Sequence, residues 1–135
     1  KKNLTRAILE GICFELMDIL KVQEEILSKN KIRIKDVRLS GGICQSNFWT
    51  QMLADILQTD LITGKAKELG ALGSSVMTAA ASGAYKNLEE AIKNMVKDDK
   101  KVNYNKDLGD IYSRKFNLFR KMYKVFEQKF NLFST

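Results

Sequence analysis

Apolar residues recur at steps of three and four from the start of the chain, at Leu4, Ala7, Ile8, Ile12, Leu16, Ile19, Leu20 and Leu27, with Gln23 continuing the series. This is the period of a helix with one apolar face, and it predicts a long amphipathic helix over about Leu4 to Ser28. Gly11 sits inside that helix at a cost of about 1 kcal/mol relative to Ala, which predicts close packing there. The pattern then shortens. Ile32 and Ile34 alternate within a polar connection from Lys31 to Lys35, and Val37 to Ser40 reads as a brief strand ended by Gly41-Gly42. Helical spacing returns from about Asn47 to Gln58, with Ser46 as N-cap and Phe48, Met52, Leu53, Ile56 and Leu57 as the buried face. Leu61-Ile62-Thr63 is a second short strand, closed by Gly64.

Strand, helix and strand in this order make one βαβ unit, for which parallel pairing with a right-handed crossover is the default. Gly41-Gly42 is thereby placed at the carboxyl end of a parallel strand, the edge where ligands of open α/β sheets gather. From Glu68 to Ser82 a third helix is built of small residues, among them Gly70, Ala71, Gly73, Ser74, Ser75 and Ala79 to Ala81. Such a surface predicts burial against another helix or a domain partner, and Gly83 is a fitting stop. Asn87 and Glu90 stand as N-cap and N3 of a fourth helix reaching about Lys97, a variant of the capping box. Asp98 to Asn105 reads as a charged loop. Tyr112, Phe116, Phe119, Tyr123, Phe126 and Phe130 then follow at alternating steps of four and three, one aromatic stripe available to a core on a terminal helix.

Composition narrows the chemistry. The 135 residues are 44% apolar and 29% charged, the balance of a soluble globular domain, and residues 1–135 read as a single one. There is no histidine, which removes Ser-His and Cys-His nucleophile pairs and His-ligated metals together. The net charge of +7 is spread along the chain and interleaved with Asp and Glu, with no basic residue between Arg38 and Lys65, so it predicts a solvated surface rather than a nucleic-acid tract. Cys13 and Cys44 lie in no metal spacing and read as reduced, mostly buried thiols of a cytoplasmic protein. The longest uncharged run, Leu69 to Tyr85, is too short and too rich in small residues to span a bilayer, and the first apolar stretch is broken by Glu10, Glu15 and Asp18, unlike a signal peptide.

Two glycines after a strand let a flat ring lie against bare backbone where any Cβ would collide with it. The stretch lacks the Lys of a triphosphate loop and the third glycine of the dinucleotide pattern, so an adenine slot fits better than a phosphate cradle. By themselves the glycines are also consistent with a plain strand-to-helix turn.

The wider string Val37-Arg-Leu-Ser-Gly-Gly-Ile-Cys-Gln-Ser-Asn-Phe-Trp-Thr-Gln-Met-Leu-Ala-Asp55 closely resembles the adenosine motif of the FGGY family of carbohydrate kinases. Glu68-Leu-Gly-Ala-Leu-Gly-Ser-Ser resembles the family's second connecting helix, and Arg6-Ala-Ile-Leu-Glu-Gly-Ile-Cys-Phe14 the helix opening this segment in xylulokinase-like members. The resemblance runs from about Leu4 to Val96, and the aromatic region 102–135 is similar to the family's C-terminal helix. It implies an α/β fold, the C-terminal part of an actin-like (ribonuclease-H-like) ATPase domain, mostly helical with a short parallel sheet of two or three strands. One sheet edge and one helix face would be left uncovered, favouring self-association and an eventual homodimer.

The resemblance further implies transfer of the γ-phosphoryl of ATP to a hydroxyl of a ketopentose such as xylulose, with Mg²⁺ bridging the phosphates. The Asp base, the phosphate loops, the Mg²⁺ contacts and the sugar pocket would lie upstream of Lys1, in an N-terminal kinase domain that is this chain's partner. This chain would then hold no catalytic residue and no metal ligand, and would be inactive alone. Gly41 and Gly42 map onto the glycines facing adenine and Ser46 onto a polar position that can hydrogen-bond the base. Gln45 and Asn47 are second contacts, and Ile43 and Cys44 depart from the family's smaller residues and would narrow the slot. The same residues have structural readings: turn glycines, Ser46 as an N-cap, Trp49 in the core, Gln51 tying the helix to a neighbouring loop, Asp55 facing solvent or pairing locally, and Gly70 and Gly73 as helix contacts or as sliding surfaces of a domain hinge. The rival functional reading is a non-catalytic protein interaction module.

Overall fold

A computed structural model describes residues 2–130, without the side chains of Gln128 and Phe130. Among the described residues, contacts cluster in two compact units: residues 2–34, 52–59 and 104–130 belong to the first, and 35–51 with 60–103 to the second.

In the first unit, α1 (Lys2–Lys29) and α5 (Gly109–Phe130) pack together through aromatic side chains. The Phe14 ring lies 6.5 Å from Tyr112, 6.0 Å from Phe116 and 5.5 Å from Phe119. Beside this cluster the buried Glu10 carboxylate accepts from Lys115 Nζ at 2.9 and 3.0 Å and from Arg6 Nε at 2.9 Å, while Arg6 Nη2 donates to Tyr112 Oη at 3.3 Å. Burial alone would raise the Glu10 carboxyl, but the hydrogen bonds and charges of Lys115 and Arg6 outweigh it and hold it below the ordinary value.

The predicted apolar face of α1 is not its buried face. Glu10, Cys13 and Phe14 are buried, whereas Leu4, Ile8, Ile12, Leu16 and Ile19 are exposed. At 100° per residue the two sets lie on opposite sides of the helix. Nothing lies within 4 Å of a Cβ built on Gly11, so the close packing expected there is absent among the described residues. On α5 the predicted stripe is buried at Tyr112 and Phe116, half-buried at Phe119, and open at Tyr123 and Phe126; the side chain of Phe130 lies outside the described residues.

Helix α2 (Asn47–Leu57) contributes Met52, Leu53, Ala54 and Ile56 to the buried set, but Phe48, expected with them, is exposed. Asp55, expected in solvent or in a local pair, is buried, and its Oδ1 accepts the backbone N–H of Asn105 at 2.8 Å, 50 positions away. Gln58 Nε2 donates to Asp55 O at 2.6 Å and to Asn105 O at 3.2 Å, closing the same tie.

The second unit holds a three-stranded sheet in the order β1 (Val37–Leu39), β2 (Leu61–Gly64), β3 (Asp98–Val102). β1 and β2 pair in parallel, Val37 opposite Leu61 and Leu39 opposite Thr63, as the βαβ reading requires. β3 is a correction. The segment read as a charged loop runs antiparallel to β2, with Leu61 opposite Val102 and Ile62 opposite Lys101, so the sheet is mixed rather than parallel. An edge strand with charged, exposed side chains carries no hydrophobic alternation to reveal it. It is held instead by ladder bonds, by Thr63, whose Oγ1 accepts the Lys100 N–H at 3.3 Å, and by the ion pairs Arg38–Asp98 and Lys101–Asp60.

Helices α3 (Leu69–Ala81) and α4 (Leu88–Met95) pack on one another, with Val76 and Ala91 buried. Gly83, at φ +80°, ends α3. Asn87 Oδ1 accepts the Glu90 N–H at 2.9 Å, and Glu90 Oε2 reaches back to the Lys86 N–H at 2.8 Å, the expected capping arrangement. The remaining small residues from Gly70 to Ser75 are exposed apart from Leu72, which is half-buried, and nothing lies within 4 Å of a Cβ at Gly70 or Gly73. Their predicted burial is therefore not provided by the described residues of this chain.

Candidate functional site

β1 runs out through Ser40 into Gly41, whose φ of +85° and ψ of −160° belong to glycine and not to L-residues with a Cβ. One turn of 3-10 helix, Gly42–Gln45, follows. Cys44 N–H donates to Gly41 O at 3.1 Å and Ser46 N–H to Ile43 O at 3.2 Å, which tightens the turn before α2 begins. Ser46 Oγ accepts the Trp49 N–H at 3.3 Å as N-cap, and its own hydroxyl proton remains available to a ligand. The buried Thr50 hydroxyl lies 3.0 Å from Ile43 O and 2.9 Å from Ser46 O, so the first turn of α2 grips the glycine turn from beneath.

The five residues singled out by sequence, Gly41, Gly42, Gln45, Ser46 and Asn47, thus line one strand-to-helix corner. Gly41 is half-buried, Gly42, Gln45 and Asn47 exposed, and Ser46 half-buried. Gly42 differs from Gly41 in kind. Its φ is not positive and nothing lies within 4 Å of a Cβ built on it, so neither backbone strain nor internal packing accounts for a glycine there.

Sequence reasoning missed the other wall. β3 brings Lys100 against the corner, where Lys100 Nζ donates to Asn47 Oδ1. Next to it Gln51 Nε2 donates to Asn103 O at 2.9 Å, the predicted tie of the helix to a neighbouring segment. Between them lies a shallow depression of about 320 Å³ lined by Asn47, Thr50, Gln51, Lys100, Val102 and Asn103. No pattern announced Lys100, because it sits in a run of charges that reads as solvated loop.

Burial pushes the Cys44 thiol up, the Lys100 charge opposing and the Asp99 charge adding, which leaves a protonated thiol rather than a nucleophile. Trp49 is half-buried, with Nε1 inaccessible and lacking a hydrogen-bond partner in the described residues. Among the described residues no group of three or more Cys, Asp or Glu is disposed to hold a metal ion, and no helix is long and apolar enough to cross a membrane. The corner presents exposed backbone at Gly42 beside the Ser46 hydroxyl and the Gln45 and Asn47 amides, groups of the kind that edge a flat polar ligand.

Residues 1–82 match the FGGY family of carbohydrate kinases, C-terminal domain. A xylulose kinase of Staphylococcus epidermidis is 27% identical over 124 residues, 92% of this chain and 24% of its own length. A glycerol kinase of Borrelia garinii subsp. bavariensis is 36% identical over 92 residues, 68% of this chain and 18% of its own. The crystal structure of Plasmodium falciparum glycerol kinase with ADP superposes with a TM-score of 0.68 at 25% identity, over 88% of this chain and 23% of that one. The fold is thus the actin-like ATPase architecture expected, with the mixed sheet described above. The chain spans a quarter or less of the length of these relatives.

Proposed function

The chain belongs to the FGGY family of carbohydrate kinases, and on that premise we propose that residues 1–135 are the C-terminal nucleotide-binding portion of an ATP-dependent sugar kinase and supply the adenine side of its ATP site. The observation that carries this reading is the Gly41-Gly42 corner at the carboxyl end of β1: Gly41 takes φ +85°, and Gly42 is exposed with nothing within 4 Å of a Cβ, which leaves bare backbone open to a ligand. A planar base laid on the Gly41-Gly42 backbone is such a ligand. Ser46 Oγ–H donates to a ring nitrogen, Gln45 and Asn47 edge the base, and Thr50 keeps the turn from giving way. These groups position the nucleotide without touching the transferred phosphoryl, and in phosphoryl transfer positioning is a large part of catalysis.

Mg²⁺, which bridges ATP phosphates in this chemistry, is assigned to the N-terminal kinase domain of the same protein, together with the base and the sugar pocket. The chain alone is then inactive. The acceptor is a ketopentose such as xylulose, a choice supported by the similarity to a xylulose kinase over nearly the whole chain. The exposed small residues of α3 and the exposed stripe on α1 serve as contacts with the rest of the protein, a homodimer being their other use. Among the described residues Cys13 and Cys44 form no disulfide, which suits the reducing cytoplasm.

Titration of ATP into the labelled chain should move amide resonances of residues 41–47 first. Gly42→Val should abolish those shifts with little change in stability, since a Cβ at this position meets no protein atom within 4 Å and the backbone there is not left-handed. Shifts scattered elsewhere in the chain, or unaltered by Gly42→Val, would sink the reading in favour of an interaction module.

A further inference from the structure

Lys100, which lies outside the glycine turn and α2, hydrogen-bonds a candidate site residue directly, Nζ donating to Asn47 Oδ1. An ammonium has three donors and no acceptor, so this contact settles which end of the Asn47 amide faces β3: the oxygen does. Nδ2 then points its two hydrogens away from Lys100. Without Lys100 the amide could turn over and offer either an acceptor or a donor.

The placement of Lys100 is itself built. Its backbone N–H donates to Thr63 Oγ1 and its carbonyl accepts from the same hydroxyl group, both at 3.3 Å, and Thr63 is buried in the middle of the sheet. Gln51 and Asn103 pin the same two segments together at 2.9 Å a few ångströms further on. The Lys100 charge also acts on Cys44 in the Gly42–Gln45 turn, opposing the rise that burial gives its thiol.

We propose that Lys100 is a specificity-determining positioning residue: by holding Asn47 Oδ1 it makes Asn47 a hydrogen-bond donor toward the bound base, so that the corner selects a purine presenting an unprotonated ring nitrogen there. The inference rests on the adenine-site reading above. It assigns Lys100 no contact with substrate and no part in chemistry. Its work is to remove one of two orientations of a neighbour's amide, a bias that survives in water because an amide carbonyl accepts from an ammonium and an amide NH₂ cannot.

The test compares ATP with its 1-deaza, 3-deaza and 7-deaza analogues, each lacking one ring acceptor, by NMR titration of wild type, Lys100→Met and Lys100→Arg. In the wild type the analogue lacking the nitrogen met by Ser46 and the one lacking the nitrogen met by Asn47 should each bind about three- to tenfold more weakly than ATP, the worth of one hydrogen bond. Only the second ratio depends on Lys100. Lys100→Met keeps the stem and loses the donor, and should bring that ratio toward one; Lys100→Arg, still a donor without an acceptor, should restore it. A general loss of affinity for all four nucleotides in Lys100→Met, with the ratio intact, would mean that Lys100 acts only as a charge or a prop, and the proposal fails while the adenine site stands. An unchanged ratio with unchanged affinity overturns it equally. If wild type shows no shifts at residues 41–47 with ATP, the adenine-site reading falls and takes this inference with it. Dispersed spectra of both variants are the check that each is folded.

Discussion

The stripes on α1 and α5 repeat with the same helical period, yet Leu4, Ile8 and Ile12 are 69%, 58% and 42% exposed while Tyr112 and Phe116 are 3% and 2% exposed. Both repeats predict a helix with one apolar face, and the aromatic one is available to a core. On α5 the reading holds for the first two turns, because Phe14 of α1 comes up against them. On α1 the side that meets α5 carries Arg6, Glu10, Cys13 and Phe14, a mixture no hydrophobicity pattern would select. A period therefore tells which way a face points, and nothing about whether the chain contains what covers it. Burying an aliphatic side chain is worth about 1.5–3 kcal/mol, so the open α1 stripe represents on the order of 10 kcal/mol that this chain alone does not gain. A chain spanning a quarter or less of its relatives' length is where such a debt is expected.

The contrast can be broken most forcefully at Phe116. Phe116→Ala removes the most buried ring of the α5 stripe and should cost about 3–5 kcal/mol, read as a fall in the urea midpoint, and enough to unfold a marginally stable domain. An unmoved midpoint would mean that α5 is not part of the core.

Glu10 gives a smaller and pH-dependent effect. Glu10→Gln should cost about 1–3 kcal/mol near neutral pH, where the carboxylate accepts from Lys115 and Arg6. The folded pKa of Glu10 lies below its unfolded value, so its contribution is complete above about pH 5 and is lost as pH falls through the folded value. The wild-type advantage in urea midpoint should accordingly shrink on going from pH 7 to pH 3. A gap that is the same at both would show that the carboxylate acts through shape and not through charge.

Smallest of all should be Ile12→Ser on the open stripe, within about 0.5 kcal/mol of wild type when measured on this chain. The same substitution in a longer form of the protein should cost several times more if the stripe is covered there. A large loss in the chain alone would instead mean that the α1 stripe is buried after all.

Where a residue's role depends on neighbours in the chain, it was legible. The N-caps at Ser46 and Asn87, the stop at Gly83, the parallel β1–β2 pair and the Gly41-Gly42 corner all follow from spacing and residue type within about two dozen positions. Gln51 was legible in kind, as a polar residue in the middle of α2 that ties the helix to a neighbouring segment. What escaped was set by partners far along the chain. Asp55 is buried because the Asn105 N–H, 50 positions on, needs an acceptor there. Asp98–Val102 is a strand because β2 offers it an open edge, although nothing in Asp-Asp-Lys-Lys-Val alternates.

The amino-acid sequence by itself determined the local conformations, the glycine corner and the family, because capping, turn chemistry and helical period act over a few residues. Tertiary structure alone decided which side of α1 is covered, that β3 exists, and that Lys100 holds Asn47, because each depends on a hydrogen bond or an aromatic contact between segments about 35 to 100 positions apart. Such contacts leave no periodic trace, since one well-placed donor or ring is enough to make them.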